Sequence, residues 1–100
     1  MSFVEVCFLD ELRSEGKKKF LINDENVLLI YLSGEVFAVN SICPHSGGPL
    51  NEGEVHDEEI TCPRHGYMFN FKSGDCLNYP SCRIRKYKVK LSGERVFVDI

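Results

Sequence analysis

The sequence is constrained most by two short loops that each carry one cysteine and one histidine. The first loop, residues 43–45, reads CPH and the second, residues 62–65, reads CPRH, with residues 46–61 between them. Two thiolates and two imidazoles are four strong donors for a soft or borderline metal. The spacing therefore predicts a metal centre. Its four predicted ligands are Cys43, His45, Cys62 and His65.

The spacing within the two loops differs, C-x-H in one and C-x-x-H in the other, which is typical of a Rieske [2Fe–2S] site. The surrounding stretches CPHSGGPL, ITCPRHGYMFNFKSGDC and RVFVDI extend this match over nearly the whole chain. The sequence resembles the Rieske ferredoxins, and in particular those that supply electrons to aromatic-ring dioxygenases. The small subunit of cytoplasmic nitrite reductase has much the same pattern.

The resemblance implies one Rieske-type [2Fe–2S] cluster per chain. Cys43 and Cys62 would bind the inner iron, and His45 and His65 the outer iron near the surface. Because neutral imidazoles remove two negative charges, the outer iron takes the electron at a higher potential than in an all-cysteine cluster. Pro80 either closes a third side of the site, as a proline loop does in the family, or is an ordinary turn proline.

The function that the resemblance implies is that of a soluble one-electron carrier and not of an enzyme. Electrons would pass from a flavin-dependent reductase to a terminal oxygenase, and both partners would dock near His45 and His65. An oxygenase would need a further iron on two histidines and a carboxylate, and only His56 remains. The alternative is the small subunit of an NAD(P)H-dependent nitrite reductase.

A structural zinc domain is the remote alternative, because two cysteines and two histidines are also a normal zinc donor set. Zinc motifs favour C-x-x-C pairs, which neither loop contains. Metal analysis would distinguish one zinc ion from two irons and two sulfides.

The residues after the second histidine predict a potential at the low end of the Rieske range, roughly −150 to +300 mV. High-potential members carry a Ser and a Tyr that donate hydrogen bonds to the cluster, where this chain has Tyr67 and Phe69. The respiratory type also has a loop disulfide, but Gly48 and Arg64 stand near the expected cysteine positions. Fewer hydrogen bonds leave the reduced cluster less stabilised.

The length predicts one domain, residues 1–100, and the protein is predicted to be a cytoplasmic monomer. A net charge of −3 without a basic stripe gives no sign of a nucleic-acid partner. The longest apolar run, residues 27–32, is far shorter than the roughly 20 residues that span a membrane. The N-terminus lacks the features of a signal peptide. Three further cysteines, Cys7, Cys76 and Cys82, are predicted to be free thiols in a reducing compartment.

The hydrophobic pattern predicts an all-β, antiparallel fold, a sandwich or barrel base with an inserted cluster-binding lobe. The base comprises residues 1–40 and 83–100, and the lobe about 41–82. The predicted strands are residues 3–8, 20–22, 27–32, 36–40, 54–55, 60–61, 67–71, 84–91 and 95–100.

Four local features accompany these strands. The apolar run at 27–32 predicts a central strand covered on both faces, whereas residues 17–19, three lysines, indicate a solvated edge. Asp10 is expected to cap a helical turn that ends at Gly16, and no longer helix is expected. His56 is expected to be an exposed turn residue.

Overall fold

The strands of this chain follow its apolar runs, and short polar turns join them. The computed structural model describes residues 2–44, 47–64, 66–78 and 82–100. In those residues the elements are β1 Phe3–Phe8, α1 Leu9–Glu15, β2 Lys17–Ile22, β3 Glu25–Leu32, β4 Glu35–Asn40, a 3-10 turn Leu50–Glu52, β5 Glu54–His56, β6 Glu59–Thr61, β7 Met68–Asn70, β8 Lys86–Tyr87, β9 Val89–Ser92 and β10 Arg95–Asp99.

The strands form three antiparallel sheets. The terminal sheet has the order β1-β10-β9 and joins both ends of the chain. The central sheet has the order β2-β3-β4-β8, and the small sheet has the order β5-β6-β7. The prediction of an all-β antiparallel fold is confirmed. The lysine run at 17–19 lies on β2, an edge strand of the central sheet, as expected.

Strand β3 separates two hydrophobic cores. Val27 and Leu29 belong to the first core, which includes Val96 and Val98 of the terminal sheet. Leu28 and Ile30 point the other way into the second core. All four of these β3 side chains, residues 27–30, are fully buried, and burying each contributes about 1.5–3 kcal/mol. The predicted central strand is confirmed.

Two tight hairpins set the register of β2, β3 and β4. The β2–β3 turn consists of Asn23 and Asp24, with φ of 47° and 66°, and the β3–β4 turn of Ser33 and Gly34, with φ of 51° and 85°. Positive φ at both central residues is the type I′ geometry, whose twist matches that of the flanking strands. Leu28 thereby pairs with Val39 of β4.

The helix α1 is longer than predicted. It spans Leu9–Glu15, about two turns, and Phe8 rather than Asp10 is its N-cap. The Phe8 N–H donates to the Glu11 carboxylate at 3.1 Å. Glu11, three residues after Phe8, therefore caps the helix in place of Asp10. Leu9 is buried in the first core; such packing extends a helix beyond its local propensity. Gly16 ends it, as expected.

The predicted strand at residues 84–91 is not one strand. Tyr87 of β8 pairs with Ala38 in the central sheet, whereas Val89 of β9 pairs with Val98 in the terminal sheet. The chain crosses between the two sheets at Lys88, whose carbonyl accepts a hydrogen bond from Asp99 at 2.9 Å. An alternating pattern continues through such a crossing because both strands keep one face on the same core.

The small sheet lies within the predicted lobe, whereas the strands of the other two sheets lie outside it. The bounds of the lobe and the single-domain division remain predictions. In the described residues, no helix has the length and apolar character needed to cross a membrane.

Candidate metal centre

The first ligand loop is closed by backbone contacts at its base. Ile42 forms an isolated antiparallel bridge with Pro49. The Cys43 N–H donates to the Gly48 carbonyl at 2.9 Å, and the Gly47 N–H donates to the Cys43 carbonyl at 2.9 Å. Both the N–H and the carbonyl group of Cys43 are therefore hydrogen-bonded within the loop.

The second ligand loop connects β6 to β7 in the small sheet. The Cys62 N–H donates to the Tyr67 carbonyl at 2.7 Å and closes this loop. Next to it, Gly53 packs so closely on β6 that a Cβ there would overlap the Thr61 carbonyl oxygen. Only glycine permits this approach, so Gly53 helps to fix the strand that leads directly into Cys62.

The two cysteines of the loops are buried together in the second core. Cys43 and Cys62 are each 1% exposed. Their core also contains Leu28, Ile30, Val39, Leu50, Ile60, Phe69, Phe71, Cys82 and Ile84. An apolar shell around two thiols excludes water and suits a soft metal. The chemistry of these two donors fits the sulfur-bound half of an iron–sulfur cluster.

His45, His65 and Pro80 lie outside the described residues. The described residues nearest in sequence to the two histidines, Pro44, Gly47, Arg64 and Gly66, are exposed. Among the residues that the structure describes, no group of three or more His, Cys, Asp or Glu side chains could hold a metal ion. The four-ligand set and the role of Pro80 therefore remain predictions.

The remaining histidine lies in the small sheet. His56 is the last residue of β5, is exposed and pairs with Glu59 across the hairpin. The turn itself is made by Asp57 and Glu58. His56 is exposed, as expected, but it belongs to the strand and not to the turn.

A side chain that the sequence analysis missed connects the second ligand loop to the following segment. The Asn78 amide nitrogen donates to the Gly66 carbonyl at 3.0 Å, and its oxygen accepts from the Met68 N–H at 3.1 Å. Asn78 thus bonds to the backbone on both sides of Tyr67. Asparagine often bonds to nearby turns, but no sequence pattern points to a contact ten or twelve residues away.

A second missed side chain supports the first ligand loop. Asn40 accepts a hydrogen bond from the Ile42 N–H at 2.9 Å and donates to the Tyr87 hydroxyl at 3.2 Å. Tyr87 in turn donates to Glu25 at 2.9 Å, and Arg85 pairs with Glu25 at 2.8 Å. Burial raises the pKa of Tyr87, so it stays a neutral donor.

The two positions used to predict the potential lie beside this core. Phe69 is fully buried in the second core, and Tyr67 is partly buried against it. Phe69 has no hydroxyl group, so it donates no hydrogen bond to a sulfur atom.

Comparisons with known proteins agree on one family. The model of the Rieske [2Fe-2S] domain matches residues 2–88. Human apoptosis-inducing factor 3 is 33% identical over 94 residues, which are 93% of this chain but 16% of that protein. The ferredoxin component of biphenyl 2,3-dioxygenase from Rhodococcus jostii is 30% identical over 101 residues, which cover 100% of this chain and 94% of that protein.

Solved structures share the whole fold. The ferredoxin of carbazole 1,9a-dioxygenase from Nocardioides aromaticivorans has a TM-score of 0.88 and 28% identity, covering 98% of this chain and 97% of that one. A Mycobacterium tuberculosis chain named as a small subunit of NADH-dependent nitrite reductase has a TM-score of 0.87 and 26% identity, covering 97% and 93%.

Proposed function

The chain belongs to the Rieske [2Fe-2S] domain family, and from this premise we propose that it is a one-electron carrier and not an enzyme. The cofactor of this family is a Rieske-type [2Fe–2S] cluster, which supplies one electron at a time when bound. The ligands that we propose are Cys43, His45, Cys62 and His65.

The observation that carries this proposal is the burial of Cys43 and Cys62, each 1% exposed, in one apolar core. Each lies in a loop with backbone hydrogen bonds at its base. These two residues would bind the inner iron and keep water from it. His45 and His65 would bind the outer iron and present it to a partner.

The partners that we propose are a flavin-dependent reductase and a terminal oxygenase. The similarity to the biphenyl dioxygenase ferredoxin component over its length supports this choice. Partners would dock at the two ligand loops, where Pro44 and Arg64 are exposed.

A nitrite reductase small subunit is the second candidate, supported by the similarity to the M. tuberculosis chain. The two candidates share the cluster and differ in the acceptor. Co-purification with a large sirohaem-containing chain would favour the reductase subunit.

The ligand assignment is tested by anaerobic purification followed by iron, sulfide and zinc analysis. We expect two irons and two sulfides per chain, and loss of the cluster in His45→Ala and His65→Ala. His56→Ala is the matched control, because His56 is exposed at the end of β5, and it should keep the full cluster. One zinc per chain without iron would refute the proposal.

The electron-transfer role is tested with the intact protein. NADH and a flavin-dependent reductase should reduce it, and a terminal oxygenase should reoxidise it during turnover. If no such oxygenase reoxidises the protein and a sirohaem nitrite reductase does, the nitrite reductase small subunit replaces the dioxygenase ferredoxin as the favoured candidate.

A further inference from the structure

Two cysteines outside the proposed ligand set, Cys76 and Cys82, lie opposite each other on adjacent backbone segments. The Cys76 N–H donates to the Cys82 carbonyl at 3.1 Å. The preceding residue Asp75 forms an antiparallel bridge with Arg83, and their side chains pair at 3.3 Å. This register makes Cys76 and Cys82 direct cross-strand partners.

Cross-strand partners in an antiparallel pair have their side chains on the same face, with Cβ atoms about 4.5–5.5 Å apart. A disulfide needs Cβ atoms about 3.5–4.5 Å apart. Because this is a hydrogen-bonded pair, at the wider end of the cross-strand range, its two Cβ atoms must approach by about 1–2 Å when the disulfide forms. The backbone register, set by the bridge between Asp75 and Arg83 and by the Cys76 N–H bond to Cys82, places the two side chains next to each other on that face.

The two thiols differ in access. Cys76 is partly exposed, whereas Cys82 is 7% exposed and belongs to the second core. A reagent from solution therefore reaches Cys76 first, and Cys82 is placed to react second. Cys7 lies in the first core, on the other side of the central sheet, and is not a competing partner.

We propose that Cys76 and Cys82 form a modification site at which small-molecule disulfides, such as oxidised glutathione, introduce an intramolecular disulfide. All five cysteines lie in the described residues, and none of them is in a disulfide there. Neither cysteine is one of the four proposed ligands, although Cys82 shares the second core with Cys43 and Cys62. The proposal does not depend on the electron-transfer role.

The reaction is two thiol–disulfide exchanges. The Cys76 thiolate attacks one sulfur of oxidised glutathione, the glutathione S–S bond breaks, and one reduced glutathione leaves. The Cys82 thiolate then attacks the Cys76 sulfur of the mixed disulfide and releases the second reduced glutathione. Two protein thiols are oxidised, and one small disulfide is reduced to two thiols.

The disulfide would act on a segment that contacts the second ligand loop. It would close a ring that includes Asn78, whose side chain bonds to Gly66 and Met68. We therefore expect the oxidised form to keep its cluster and to lose it more slowly to an iron chelator.

The test uses the cluster-loaded protein in anaerobic glutathione buffers of increasing oxidised fraction. The protein is then denatured in the presence of N-ethylmaleimide, which alkylates free thiols. As the oxidised fraction rises, the number of N-ethylmaleimide adducts should fall from five to three per chain. Cleavage after Lys72 and Arg83 gives one peptide, residues 73–83, with both cysteines and no other. In the oxidised protein, that peptide should be lighter by two hydrogens than its reduced form and should carry no N-ethylmaleimide adduct. The visible absorption of the cluster should persist.

Two variants sharpen the result. Cys82→Ser should stop the reaction at a stable glutathione adduct on Cys76, and the control Cys7→Ser should still form the disulfide. Five adducts in every buffer would overturn the proposal. So would a disulfide that appears only after the cluster absorption is lost, or one that joins Cys76 to a cysteine other than Cys82.

Discussion

The Asn78 amide nitrogen donates to the Gly66 carbonyl oxygen at 3.0 Å and so joins two loops that are separated by the whole of β7. The same side chain accepts from the Met68 N–H. One exposed amide thus fixes the backbone on both sides of Tyr67, beside the second ligand loop.

Asn78→Ala should therefore destabilise the protein. Each lost hydrogen bond costs about 0.5–1.5 kcal/mol, and 1 kcal/mol shifts the midpoint of thermal denaturation by roughly 4–8 °C in a domain of this size. Circular dichroism would give the midpoint. In the control Asn78→Asp, which keeps the acceptor for the Met68 N–H, the midpoint should fall by less. If Asn78→Ala has the midpoint of the wild type, Asn78 does not have this role.

Leu28 and Leu29 give a matched pair on β3. Both are fully buried, so each Leu→Ala change should cost about 2–5 kcal/mol. Only Leu28 packs in the core that contains Cys43 and Cys62. Leu28→Ala should therefore lose visible absorption faster than Leu29→Ala when an iron chelator is added under native conditions. If the two variants have equal thermal midpoints and lose visible absorption at equal rates, the prediction is contradicted.

Phe69→Tyr should raise the reduction potential. Phe69 lies fully buried in the core that holds Cys43 and Cys62, and a hydroxyl there can donate to a cluster sulfur and stabilise the reduced form. Potentiometric titration of the two proteins checks this. The control Phe71→Tyr, equally apolar in its surroundings, should leave the potential nearly unchanged. A wild-type potential near the top of the Rieske range would also contradict the prediction from Tyr67 and Phe69.

The buried thiol of Cys7 makes stability depend on alkaline pH. Burial, with a further contribution from Glu11, raises the pKa of Cys7 from 9.0 to about 11. From pH 9 upward the unfolded thiol releases its proton while the folded one retains it, so stability is full below pH 9 and falls toward pH 11. Thermal midpoints from about pH 8 to 11 should drop more steeply for the wild type than for Cys7→Ala. Parallel curves would contradict this.

The sequence predicted the strands well where the hydrophobic pattern alone decides them. The run at 27–30 is apolar on both faces and lies between two cores, and the small sheet has its two predicted short strands at Glu54–His56 and Glu59–Thr61. The local sequence was enough to predict these strands because the residues that each strand buries are the apolar residues of its pattern.

The failures arise where tertiary packing decides. Residues 86–91 alternate between polar and apolar, yet the chain changes sheets at Lys88, because the pattern records which face is buried and not which strand lies alongside. The helix Leu9–Glu15 exceeds its local signals because Leu9 and Leu12 are buried in the first core. Asn40 and Asn78 act through contacts that no local pattern reveals.

The proposed ligand set is tested most directly by pulsed EPR of the reduced protein labelled with ¹⁵N-histidine. We expect couplings from two histidine nitrogens to the unpaired electron, changed by the label, because His45 and His65 bind the iron that takes the electron. A reduced cluster without nitrogen coupling, or no paramagnetic iron signal after reconstitution and reduction, would contradict the proposal.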